Sequence, residues 1–212
     1  MKEKIKKIID VFSKKYPNPE SALNYNNEFE LLIATILSAQ TTDKQVNKVT
    51  AKLFEKYNSP EDFASLSPEN LQKEIQSIGL YRNKSKYIIK TAQTIINDFA
   101  GKVPNTRQEL LKLTGVGRKT ANVVLSCAFT KDAFPVDTHV FRLANRIGLV
   151  KSDKVREVED GLMELIPQKY WSKMHHWLIF HGREVCKAQN PLCNDCDINE
   201  YCNYFLKISR NC

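Results

Sequence analysis

Gly115 and Gly117 stand two apart in Leu113-Thr114-Gly115-Val116-Gly117-Arg118-Lys119-Thr120-Ala121, just ahead of the apolar Val123, Val124 and Leu125. A turn of this kind before a helix points successive backbone N–H groups outward. The helix start adds partial positive charge, so the pair could hold a phosphate. Val116 would anchor the turn through its apolar side chain. The spacing is not that of a Walker loop, Gly-x4-Gly-Lys-Ser/Thr, and Gly-x-Gly alone equally marks an ordinary turn between helices.

Cys186, Cys193, Cys196 and Cys202 place four of the six cysteines within 17 residues. Four clustered thiolates are a metal-ligand pattern. Cys-x2-Cys suits a structural zinc and equally an iron–sulfur cluster, although the spacing is that of neither ferredoxin type, so the metal stays open at this point. Cys127, in an apolar helical stretch, reads as a core residue and Cys212 as a terminal thiol. Asp137, in Val136-Asp137-Thr138-His139, precedes a helical pattern through Leu143 and Ile147, and its local reading is a helix N-cap. His139, His175, His176 and His181 read as packed or surface residues.

The elements that must position these groups are helical. Phe29, Leu32, Ile33, Ile36 and Leu37, then Val46, Val49, Leu53 and Phe54, then Leu71, Ile75 and Ile78 recur at helical spacing, and no stretch alternates as a strand. Ser59-Pro60 and Ser67-Pro68 each set a capping hydroxyl before a proline at the first helical position, and Thr106 and Ser152 are further expected caps. About ten short helices and no sheet are predicted. The chain has 212 residues, 42% of them hydrophobic, enough for a sizeable core without covalent staples. Its longest apolar run is far short of the ~18 residues of a membrane span, and the lysines and Asp10 of the first ten residues break any signal-peptide core. A soluble cytoplasmic protein with no membrane contact is expected. The formal charge of +8 favours a polyanionic partner without requiring one.

Taken together, the glycine hairpin ending in Lys119, Asp137 eighteen residues on, and the cysteine spacing resemble those of the bacterial endonuclease III family. These are DNA glycosylases with abasic-site lyase activity, in the helix-hairpin-helix-Gly/Pro-Asp superfamily. The likeness runs from about Ser21 to Cys202. It implies an all-α fold of two helical lobes, a six-helix barrel with the hairpin at 22–132 and a cluster lobe from 1–21 plus 133–212, with DNA in a cleft between them. It also implies a 4Fe-4S cluster on Cys186, Cys193, Cys196 and Cys202.

By the same resemblance, Lys119 is the nucleophile that displaces a damaged base and forms a Schiff base. Asp137 is the carboxylate that helps remove a proton and stabilises positive charge on the sugar. Gln40 would enter the space left by the flipped nucleotide, Leu80 would wedge against the opposite strand, and Gly115, Val116, Gly117 and Arg118 would contact DNA. The expected partner is double-stranded DNA carrying damaged pyrimidines or abasic sites, and the expected state a nucleoid-associated monomer.

Two departures stand out. Thr114 occupies the position where the family usually has proline, and the 187–192 loop carries one basic residue where relatives often have several. Phosphate binding is therefore expected from Lys84, Lys86, Arg118 and the lysine-rich N-terminal helix. The competing readings are a mismatch-specific adenine or thymine glycosylase, against which Lys119 argues, and a non-catalytic hairpin module with a structural zinc. An electron-transfer ferredoxin would need neither the hairpin nor the Lys119–Asp137 pair.

Overall fold

The computed structural model describes residues 2–209; Cys212 lies outside them. Among the described residues the chain forms twelve α-helices, two short 3-10 turns and no strand. It divides into two compact units, one from residues 21–131 and the other from 1–20 with 132–212. No described helix is long and apolar enough to cross a membrane.

The 21–131 unit is built round α2 (Glu28–Ser38), which buries every residue from Phe29 to Leu37. A helix apolar on all sides must be surrounded, and α2 packs against α3 (Asp43–Lys56), α6 (Tyr81–Phe99) and α8 (Arg118–Cys127). The short helices α4 (Pro60–Ala64) and α5 (Pro68–Glu74) lie against α6, and α7 (Arg107–Leu110) lies against α8. Caps set the boundaries: Ser59 forms a reciprocal capping box with Asp62, and Ser67 and Thr106 each accept an N–H of the first turn. Cys127 closes α8, and burial pushes its thiol up to about 11.

The second unit joins the two ends of the chain. Ile5, Ile8 and Phe12 of α1 (Lys2–Lys15) enter a core with α9 (Thr138–Ile147), α10 (Val155–Leu165) and α11 (Trp171–Glu184). The Trp177 indole donates to the Tyr16 carbonyl at 2.9 Å. A short α12 (Asn203–Ile208) follows the cysteines. Ser152 is not the cap of α10. Lys154 holds that position, while the Ser152 hydroxyl accepts the Lys154 N–H and donates to Glu157, forming a turn one step earlier.

His175, His176 and His181 are buried on α11. His176 lies 4.9 Å from the His175 ring centre, and burial pushes its imidazole down to about 4. An unfolded histidine titrates near ~6.5. Between those values the unfolded chain holds a proton that the folded chain refuses, so stability is lost as pH falls through this window. In urea melts from pH 7 to 4.5, wild type should lose about 2 kcal/mol more than His176→Phe; equal losses would show that His176 does not carry the acid sensitivity.

Candidate functional site

In the 21–131 unit the hairpin lies between α7 and α8. Gly115 has φ +79°, and a Cβ there would sit 3.1 Å from the Tyr87 ring, so both backbone and space require glycine. Gly117 differs from the sequence expectation. Its backbone is extended at φ −91°, and a Cβ would meet nothing within 4 Å. Neither local geometry nor packing within the chain requires glycine there. The missing side chain leaves the start of α8 uncovered, and α8 has no side-chain cap. Val116 is buried, as an anchor of the turn should be. Thr114 is held through its carbonyl, which accepts the buried Thr91 hydroxyl at 2.7 Å.

Lys119 is the second residue of α8, exposed, and makes no hydrogen bond or ion pair within its unit among the described residues. Arg118 beside it is half-buried. Gln40 follows α2 and Leu80 precedes α6, and both are exposed residues with positive φ, 57° and 60°. Leu80, 55% accessible, is the most exposed large hydrophobic among the described residues. The two loops meet: the Gly79 N–H donates to Thr41 Oγ1 at 3.2 Å, and a Cβ on Gly79 would stand 3.1 Å from the Gln40 carbonyl oxygen.

Lys84 does not face solvent as a phosphate contact. It is 4% exposed, and its ammonium donates to the Leu37 carbonyl at 2.8 Å and to the Ala39 carbonyl. Burial holds its pKa below the usual lysine value. The N-terminal helix is also a poorer phosphate surface than its composition suggests. Lys4 donates to the Ile147 carbonyl, Lys15 pairs with Asp197, and Lys14 pairs with Asp10.

In the other unit Asp137 caps α9. Its Oδ1 accepts the Val140 N–H at 2.8 Å, and Oδ2 makes no hydrogen bond within that unit. Its local N-cap role is therefore met with one oxygen. His139 packs with Arg142, whose Nη2 lies 3.0 Å from its Nδ1, and burial lowers the imidazole pKa. Arg142 also donates to the carbonyls of Gly182 and Cys186. One turn on, Arg146 donates to the carbonyls of Lys187 and Ala188 and stands 3.6 Å from Cys186 Sγ. These two arginines bind the first stretch of the cysteine loop to α9, and sequence reasoning passed over both. Their four-residue spacing on the helix begun by Asp137 was the available signal.

Cys186, Cys193, Cys196 and Cys202 all line one small pocket whose other walls are mainly apolar, among them Ile147, Val185, Leu192 and Ile198. His181 Nε2 approaches Cys196 Sγ at 3.4 Å, while its buried Nδ1 has no partner. Burial, and then the neighbouring thiols, push Cys193 up; burial takes Cys196 to about 11. Thiols so placed gain from a cationic group that would take them as thiolates. Among the described residues, no three His, Cys, Asp or Glu side chains converge tightly enough for a single metal ion.

The model of the family described as HhH-GPD superfamily base excision DNA repair protein matches residues 33–168. Endonuclease III of Rickettsia prowazekii is 51% identical over 200 residues, covering 94% of this chain and 94% of that protein. Endonuclease III of Bacillus subtilis is 50% identical over 201 residues, covering 94% and 92%. A solved structure of a trapped endonuclease III–DNA covalent intermediate, in an estranged-adenine complex, superposes with a TM-score of 0.93 at 48% identity over 99% of each chain. The chain thus belongs to the HhH-GPD superfamily of base excision DNA repair proteins.

Proposed function

We propose that this chain is a base-excision DNA glycosylase that removes oxidised pyrimidines from duplex DNA and cleaves the resulting abasic site as a lyase. The observation that carries the reading is Lys119, an exposed amine without a partner in its unit, on the first turn of the hairpin helix. A nucleophile needs its nitrogen lone pair accessible, and no structural bond within the unit withholds that of Lys119.

The Lys119 amine attacks the anomeric carbon. The bond from that carbon to the base breaks, and the base leaves with the electron pair. Loss of the amine protons and opening of the sugar ring give a Schiff base. Removal of a proton from the adjacent sugar carbon then expels the 3′ phosphate by β-elimination, and water hydrolyses the imine to free the lysine. Asp137 supplies a carboxylate whose Oδ2 makes no hydrogen bond within its unit, suited to accepting a proton and offsetting positive charge on the sugar. The open start of α8 offers backbone N–H groups to a DNA phosphate. Gln40 and Leu80 enter the duplex when the target nucleotide turns out of the stack, a step costing roughly a few kcal/mol.

Cys186, Cys193, Cys196 and Cys202 hold a 4Fe-4S cluster in this reading. Four thiols lining one pocket are a ligand set that a structural zinc or an iron–sulfur cluster could take, and the likeness to endonuclease III supports the cluster. Bound there, the cluster would supply a redox-capable cross-link between the end of α11 and the segment before α12.

Borohydride trapping on a duplex with one thymine glycol tests the reading. Wild type should give a covalent adduct and Lys119→Gln none, with DNA binding retained. Adduct from neither protein, despite binding, would point to a monofunctional relative. Asn caps a helix as Asp does, so Asp137→Asn should keep its melting temperature while slowing excision by at least about 100-fold.

The hairpin gives a second pair of variants. Gly115→Ala should destabilise the protein by about 1–3 kcal/mol. Gly117→Ala should change stability by less than about 0.5 kcal/mol yet weaken duplex binding, read by fluorescence anisotropy. Wild-type affinity in Gly117→Ala would remove the helix start from the DNA contacts.

A further inference from the structure

Gln40 and Leu80 are held in left-handed backbone geometry, which costs a non-glycine residue roughly 1–2 kcal/mol and lasts only where the surroundings enforce it. Leu80 is unusual even so, because it stands at the N-cap of α6, where extended backbone and a polar side chain are the rule.

Lys84 and Thr41 tie together the two segments that carry these residues. Lys84 lies one turn into α6 from Leu80, and its ammonium reaches across to the end of α2 and the loop beyond it. There it meets the Leu37 and Ala39 carbonyls and, at 3.5 Å, Thr41 Oγ1. Three donors meet three acceptors, which a compact ammonium satisfies and a neutral side chain of that length does not. Burying a cation without a carboxylate is costly, more than capping the end of α2 would need. Thr41 completes the link by accepting the Gly79 N–H, next to Leu80. The Gln45 amide adds a parallel tie to Ser77 Oγ at 2.8 Å.

We propose that Lys84 and Thr41 are positioning residues that couple the two loop tips, so that Gln40 and Leu80 enter the duplex as one preformed unit rather than one after the other. The proposal rests on the reading above that both residues enter the DNA. A tip that forms only on contact must be ordered in the step that also unstacks the base, whereas a tied pair carries no such added cost. Gly79 belongs to the same device, since a Cβ there would stand 3.1 Å from the Gln40 carbonyl oxygen, closer than an ordinary contact.

The test is single-turnover excision from a duplex with a paired thymine glycol, with 2-aminopurine opposite the lesion to report unstacking. Thr41→Val, which keeps the shape and removes the hydroxyl, should slow excision about tenfold and lower the 2-aminopurine amplitude. Thr41→Ser should restore both to within about twofold of wild type, as the hydroxyl is retained. In the wild-type background Gln40→Ala and Leu80→Ala should be strongly non-additive, and in the Thr41→Val background their factors should multiply. Lys84→Met, made alongside, should resemble Thr41→Val; should it fail to fold, the Thr41 series decides. Coupling is overturned if Thr41→Val matches wild type, or if the two tips multiply in both backgrounds while each still matters. If neither Gln40→Ala nor Leu80→Ala affects excision or amplitude, the duplex-entry reading itself is overturned.

Discussion

A helix leaves its first four N–H groups and last four C=O groups without intrahelical partners, and in this chain the candidate residues gather at those ends. Lys119 is on the first turn of α8, Asp137 caps α9, and Leu80 caps α6. Gln40 follows the end of α2, Cys202 caps α12, and Cys186 comes two residues after α11. An all-helical chain has few other places where backbone polarity, exposure and a defined direction coincide. Where a side chain does bond to such an end, the bond fixes that side chain in position at the same time. Asp137 shows the economy of this: one oxygen completes the helix and thereby orients the other.

The same constraint explains how the cysteine segment is held. Backbone from Cys186 to Ala188 runs outside regular structure, and its carbonyls need donors. Arg142 and Arg146 supply them from one face of α9. Hydrogen bonds from charged donors contribute roughly 1.5–3 kcal/mol each, more than neutral ones. The helix that begins at Asp137 therefore also fixes the first cysteine, and Lys4 closes its far end through the Ile147 carbonyl. Two side chains thus join the cysteine loop directly to α9.

Local signals were legible in the sequence and distant ones were not. Ser59, Ser67 and Thr106 cap the helices they were expected to cap, because a cap involves residues three apart. The helical periodicity and the hairpin turn are equally local. Ser152 failed by two residues, a slip between a cap and the turn before it. Lys84, expected to meet phosphate, is turned inward by a carbonyl 47 residues away, and within the N-terminal helix Lys4 is engaged by a carbonyl 143 residues away, neither of which local pattern encodes. Gly117 was grouped with Gly115 on spacing, although only Gly115 uses positive φ; the open space at Gly117 depends on the folded hairpin. The pairing of the Gln40 and Leu80 loops depends on contacts across α2 and α6 that no spacing encodes.

The cations divide the work according to their chemistry. Arg142 and Arg146 meet carbonyls spread along a segment, which a planar fork with fixed donor directions can bridge. Lys84 meets acceptors converging from a helix end and a loop, which suits three donors on one small nitrogen. In the proposed mechanism Lys119 gives up a proton to become a nucleophile, which a guanidinium cannot do in a protein. Replacing Arg by Lys or Lys by Arg at these places would keep the charge and lose the geometry or the reactivity. The surplus of +8 is thus not one electrostatic surface. Part of it is structural, holding helix ends and loops in place, and only the remainder is free to meet a phosphate backbone.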